Sequence, residues 1–175
     1  MKPASLAAAV ILAGSLALTG CAQLGLPAFG LQDSALSKPI SPAEVEWSRK
    51  SGANTVSGLA VQKAGDTTHT CAGQSANLIP DSAYARARMT AIFGNATRGT
   101  RASSLGPAKF EQNDPLYVST MRTTRCDTAG SFSFPRVPDG TWYATTSVKW
   151  GQNEGGSMMQ RVDVRGSRLV KITLP

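Results

Sequence analysis

The chain is poor in the residues that carry most metal and catalytic chemistry. It has one histidine and three cysteines among 175 residues. His69 stands beside Cys71 in Thr-His-Thr-Cys, which offers two metal ligands, but no second Cys/His pair completes a tetrahedral site. No nucleophile elbow or related motif is present, so neither a cofactor, a metal nor an enzymatic activity is expected. Asp127 and Asp139 fall in turns, where Asp is favoured for its own hydrogen bonding. The net charge is +7, yet no dense Lys/Arg run is interleaved with aromatics. The scattered arginines therefore read as solvated surface rather than as a nucleic-acid footprint. No internal repeat is visible. Charge is also missing from Pro3 to Gly20, and what fills that gap sets the address.

Met1-Lys2 is a short positive start, and Leu6 to Leu18 is almost wholly Ala, Leu, Val, Ile, Gly and Ser. A positive start, a short apolar stretch and small residues near a cleavage point describe an export signal. The stretch is too short and too rich in Ala and Gly to span a membrane well. Leu18-Thr19-Gly20-Cys21 resembles the bacterial lipobox. The resemblance implies cleavage before Cys21, diacylglycerol on its thiol and acylation of the new amino terminus. Ala22, where the inner-membrane retention signal carries Asp, implies an outer-membrane address, with the protein facing the periplasm.

Removal of residues 1–20 takes away Lys2 alone among charged residues and leaves a net charge of +6. Residues 21–50 read as a lipidated tether that ends in a short helix. Ser41 would cap that helix, with Pro42 at its first position and Glu44 reaching back to the cap. Residues 51–175 make one domain of sufficient length for a core. There the dominant period is two. In Trp142 to Trp150 the even positions are Trp, Ala, Thr, Val and Trp and the odd ones mostly polar, which is a half-buried strand. Phe132/Phe134, Val162/Val164 and Val170/Ile172/Leu174 alternate in the same way. Thr55 to Gln62, Ser75 to Ile79 and Leu116 to Thr124 make weaker strands. Turn chemistry at Asp127–Gly130, Pro138–Gly140 and Arg165–Ser167 separates the runs. The expected fold is all-β, a seven-stranded antiparallel sandwich, with one helical insertion. That helix runs from Ala83 to Phe93, capped by Asp81-Ser82 and stopped by Gly94. Asn95 to Asp114 reads as a long irregular loop.

With Cys21 assigned to lipid, the remaining Cys71 and Cys126 form an even pair in an exported chain, where disulfides persist. Both sit at strand ends, and a bridge between them is expected.

The turn-strand-turn stretch Asp127-Thr-Ala-Gly130-Ser-Phe132-Ser-Phe134-Pro-Arg-Val137-Pro138-Asp-Gly140-Thr-Trp142 resembles the core pattern of carboxypeptidase regulatory-like domains, which are transthyretin-like sandwiches. Val56-Ser-Gly58 and Ala76 to Pro80 resemble the first two strands of that family, and Arg161 to Leu174 its last hairpin. Trp142 stands where the family has Tyr, and the helical insertion is an addition. The resemblance implies a non-catalytic module and no particular ligand.

Trp142 and Trp150 share the apolar parity and are expected in the core, whereas Tyr84, Tyr143 and Trp47 are the expected exposed aromatics. The function expected first is docking of an envelope protein partner by a lipid-anchored module, through Tyr84, Arg86, Arg88, Arg98 and Arg101. The alternative is binding of a glycan or another cell-wall polymer through the same basic helix and loop.

Overall fold

The computed structural model describes residues 35–166 and 168–175. Cys21, the export signal and most of the expected tether lie outside them.

The period-two segments do form strands: β1 (Asn54–Leu59), β2 (Val61–Ala64), β3 (Thr67–Thr70), β4 (Ser75–Pro80), β5 (Arg98–Ala102), β6 (Arg122–Arg125), β7 (Ser131–Val137), β8 (Gly140–Lys149), β9 (Gly155–Val164) and β10 (Leu169–Thr173). They make a three-stranded sheet in the order β10-β1-β7, a five-stranded sheet in the order β5-β9-β8-β4-β6, and the separate hairpin β2-β3. The two larger sheets bury a common core. Val56, Phe132, Phe134 and Val137 come from one side, and Leu78, Trp142, Ala144, Val148, Met158 and Val164 from the other. The protein is therefore mostly β and sandwich-like, with open sheets.

The five-stranded sheet is covered on its other face as well. Helix α1 (Pro42–Val45), helix α2 (Ala83–Phe93) and helix α3 (Pro115–Thr120) help to close a second core that holds Val45, Tyr84, Ala85, Met89 and Tyr117 against Ile79, Tyr143 and Met159 of the sheet. The alternation of β8 thus serves two cores: Trp142 points into the sandwich, and Tyr143 points under the helices. Tyr143 is wholly buried and Tyr84 nearly so. Both therefore correct the expectation of exposed rings. Trp47 is half-buried, because its ring packs edge-on against Trp142 with centroids 5.0 Å apart.

Other expectations also change. Ten strands form among the described residues, not seven, and pairing is not uniformly antiparallel, since β1 and β10 run parallel. The final hairpin does not form. After β9 the chain crosses to the opposite sheet, so that Val162 and Leu174 reach the same core from both sides. The expected strand Thr55 to Gln62 breaks at Ala60, whose N–H donates to the Gly130 carbonyl and whose carbonyl accepts from Cys71 N–H. Leu116 to Thr124 divides into α3 and β6. The Asp114 carboxylate accepts from the N–H groups of Leu116 and Tyr117, and Pro115 occupies the first turn, so a helix starts there. Asn95 to Asp114 is not irregular throughout, because β5 pairs along its whole length with β9. The Ser41 side chain makes no cap bond. Glu44 instead accepts from Ala83 N–H at the start of α2, which ties the two helices together.

Local signals were better at α2. Ser82 Oγ accepts from Ala85 N–H, and Gly94 closes the helix with φ 71°, a left-handed cap that favours glycine. Pro135 lies within β7, where the register against β1 slips between Phe134 and Val137; the strand bulges there, as Pro in a paired strand requires.

Cys71 and Cys126 are disulfide-bonded, with Cα atoms 5.7 Å apart. The bridge joins the residue that follows β3 to the residue that follows β6. It closes a loop that carries α2, β5 and α3.

Candidate functional site

On the outer face of the five-stranded sheet, residues turn from apolar to polar along β4, β8 and β9, one row later on β9 than on β4 and β8. On β4 the outward residues run Ile79, Asn77, Ser75; on β8 they run Tyr143, Thr145, Ser147; on β9 they include Met159 and then Ser157. Pairing places these in rows, with Ile79 opposite Tyr143, Asn77 opposite Thr145, Thr145 opposite Met159, and Ser147 opposite Ser157. The apolar end lies beneath α2 and α3. The polar end is left uncovered by helix and becomes the floor of a cleft of about 580 Å³.

Helix α2 forms one wall, with Met89, Ile92 and Phe93. The segment 103–110 forms the other, and Lys149 with Gln152, Asn153 and Glu154 stands at the rim. Segment 103–110 follows β5 through a short 3-10 turn (Ser103–Leu105) and the left-handed Gly106, φ 66°. Two arginines bind this segment. Arg88 lies 3.9 Å over the centroid of Phe110 and 4.9 Å from that of Tyr117, a cation–π arrangement. Arg101 donates through Nη2 to the carbonyls of Leu105 and Gly106, at 3.2 and 3.4 Å. The floor is partly internally bonded. Thr123 Oγ1 donates to Asn77 Oδ1 at 2.9 Å, and the hydroxyls of Ser147 and Ser157 are 3.1 Å apart.

Tyr84 and Tyr117 support this geometry from below. Tyr84 OH donates to the Gln112 carbonyl and accepts from Arg88 Nη1 at 3.1 Å. Burial pushes the Tyr117 phenol up to about 12, opposed by the cation of Arg88. Arg122, over the Trp142 ring on the opposite face of the sheet, is lowered first by burial and second by Arg136.

The five residues expected to share one contact surface do not do so. Arg88 and Arg101 line the cleft. Tyr84 is buried behind it. Arg86 is exposed and pairs with Asp81 at 2.7 Å. Arg98 is three residues from Arg101 on β5, so strand alternation directs it to the other face. Trp142 is in the core as expected, and half-buried Trp150 packs against that core and stacks on His69 with ring centroids 4.4 Å apart. The residues missed by sequence reading are those of the floor: Asn77, Thr145, Ser147 and Ser157. Their signal was the turn from apolar to polar outward positions along neighbouring strands.

Among the described residues no three His, Cys, Asp or Glu side chains gather as a metal site, and the thiol of Cys71 is consumed by the disulfide.

No protein-family profile matches the chain, and no curated protein does. Among solved structures, the chain is similar to a proposed carbohydrate-binding protein from Pseudomonas aeruginosa. The TM-score is 0.62 at 21% identity, over 78% of this chain and 97% of the other. At that identity the likeness is one of fold. A minor pilin of Streptococcus agalactiae also matches, with a TM-score of 0.35 at 16% identity, over 73% of this chain and 43% of the pilin.

Proposed function

We propose that the chain is a non-catalytic glycan-binding module, held at the outer membrane by lipid on Cys21, whose ligand lies in the cleft on the outer face of the five-stranded sheet. The observation that carries this reading is the aligned polar floor. Hydroxyl and amide groups of Asn77, Thr145, Ser147 and Ser157 lie beside an apolar wall of Met89, Ile92 and Phe93. Sugars present hydroxyls at their edges and C–H groups on their faces, so a polar floor next to an apolar wall matches both. The volume is within the range of ligand pockets, roughly 300 to 1,000 Å³. The shared fold of the proposed carbohydrate-binding protein supports the same reading. Docking of an envelope protein is the weaker reading, because the five residues expected to form that surface are divided between two faces and the interior.

The finer kinship with carboxypeptidase regulatory-like domains belongs to this proposal. Its support is the Asp127–Trp142 stretch. Asp127 Oδ1 accepts from the N–H groups of Ala129 and Ser131, Gly130 takes φ 82°, and Phe132, Phe134, Val137 and Trp142 enter the core.

The test is titration of the protein against a panel of bacterial envelope polysaccharides, with Ser147→Trp as the cleft-filling variant. Binding to at least one polymer and its loss in Ser147→Trp, at an unchanged melting temperature, is the expected result. Absence of binding across the panel, or full binding by the filled variant, sinks the reading.

A further inference from the structure

We infer that the cleft selects an acidic, carboxylate-bearing polysaccharide over a neutral one. The inference rests on the glycan reading above and names the class of glycan. Its ground is charge that the protein leaves uncompensated. Arg88, Arg101 and Lys149 line the cleft, against the single carboxylate of Glu154. Among the described residues the ion pairs are made by Arg86 and Arg161 alone, so none of the three cleft cations has a carboxylate partner.

Arg101 is the most informative of them. Its neighbour across the sheet is Ser157, which places the guanidinium stem at the edge of the polar floor. Its Nη2 bonds to segment 103–110 are long, and its buried Nε has no hydrogen-bond partner. A buried donor left without an acceptor is destabilising, and a ligand acceptor relieves that cost. A guanidinium offers five donors in a fixed fork that suits a carboxylate. Two backbone carbonyls satisfy that fork incompletely, and a carboxylate reaching under segment 103–110 would complete it. Glu154 does not supply one. Its carboxylate lies against Gly151 of its own loop, so close that a Cβ on Gly151 would meet Oε2 at 2.6 Å. Arg88 and Lys149 add positive potential to the same cleft. Alternate uncharged contacts come from the floor hydroxyls. A uronic-acid polymer has this combination, with one carboxylate per ring and hydroxyls around it.

The experiment compares polygalacturonate with its fully methyl-esterified form, by calorimetric titration of the full chain at near-physiological salt. The two polymers share a backbone and differ in charge. The expected result is at least tenfold tighter binding of the acid form and a loss of about tenfold in Arg101→Gln. Lys171→Gln, an exposed cation on the other sheet, is expected to bind as the parent does. Equal binding of both polymers overturns the charge inference and leaves the glycan reading standing. Binding of neither overturns the inference for this class of polymer, and the envelope panel then decides the glycan reading separately. An equal loss in Lys171→Gln and Arg101→Gln also overturns it, since attraction would then be diffuse and not seated in the cleft.

Discussion

Asn54 and Tyr143 are both polar, both buried, and held by different physics. Asn54 uses both amide protons and its carbonyl oxygen. It donates to the Val137 carbonyl and to Asp139 Oδ1, and accepts from Arg168 N–H. Three segments distant in sequence are joined by one side chain, so it is satisfied where it stands. Tyr143 is instead enclosed beside a carboxylate. Burial, then the charge of Asp81, raises its phenol to about 12, and burial does the same for Tyr117. In the unfolded chain both return to the ordinary value of 10.0. Above that pH the unfolded chain loses protons that the native chain keeps, so native stability falls. The stabilisation is fully present below pH 10 and is lost as pH rises through about 12. Urea unfolding at fixed pH should show this fall in the parent, and a clearly smaller one in the double variant Tyr117→Phe/Tyr143→Phe. Parallel curves for the two proteins would mean that the phenols titrate normally. Asn54 was invisible in the sequence, because its role depends on Val137, Asp139 and Arg168, none of which is local to it.

Elements repeat this division between local and distant causes. Helix α2 was legible to its end residues, because its start at Ser82 and its stop at Gly94 are properties of the residues beside it. The buried parity of β7 and β8 was legible for the same reason. Strand β5 was not. Arg-Gly-Thr-Arg-Ala has no apolar alternation, and it is a strand because β9, more than fifty residues onward, pairs with it. The cleft floor was not legible, since outward polar residues look the same whether water or a cleft lies above them. The Cys71–Cys126 bridge was legible from parity of count and placement at strand ends. It acts on elements too: β6 is a four-residue edge strand, and Gly73 and Cys126 extend its ladder with bonds of 3.1 and 3.0 Å. A loop of 55 residues closed by a disulfide corresponds to about 4 kcal/mol on the chain-entropy account. Replacing both cysteines by serine should therefore lower unfolding stability by an amount of that order, read from urea midpoints. A loss below about 1 kcal/mol would show that ladder pairing alone holds β6 and the wall elements within the loop.

At the scale of the whole molecule, two independent forces can bring this protein to a membrane, and they respond differently to salt. One is its net charge of +7, or +6 once residues 1–20 are removed. Attraction of that kind to anionic lipid is screened within about 8 Å at physiological ionic strength and weakens as salt rises. The other is the lipid proposed on Cys21, whose anchoring comes from buried methylenes at roughly 0.8 kcal/mol each and does not depend on salt. Among the described residues no helix is long and apolar enough to cross a membrane. One substitution tests the lipid apart from the charge. In cells fed labelled palmitate, the parent should carry label and stay with the membrane pellet through a molar-salt wash. Cys21→Ser should carry none and wash into the soluble fraction. If Cys21→Ser instead pellets like the parent after the wash, the attachment is neither lipid on Cys21 nor simple charge. The apolar stretch Pro3 to Gly20, kept in an uncleaved variant, would then be the anchor.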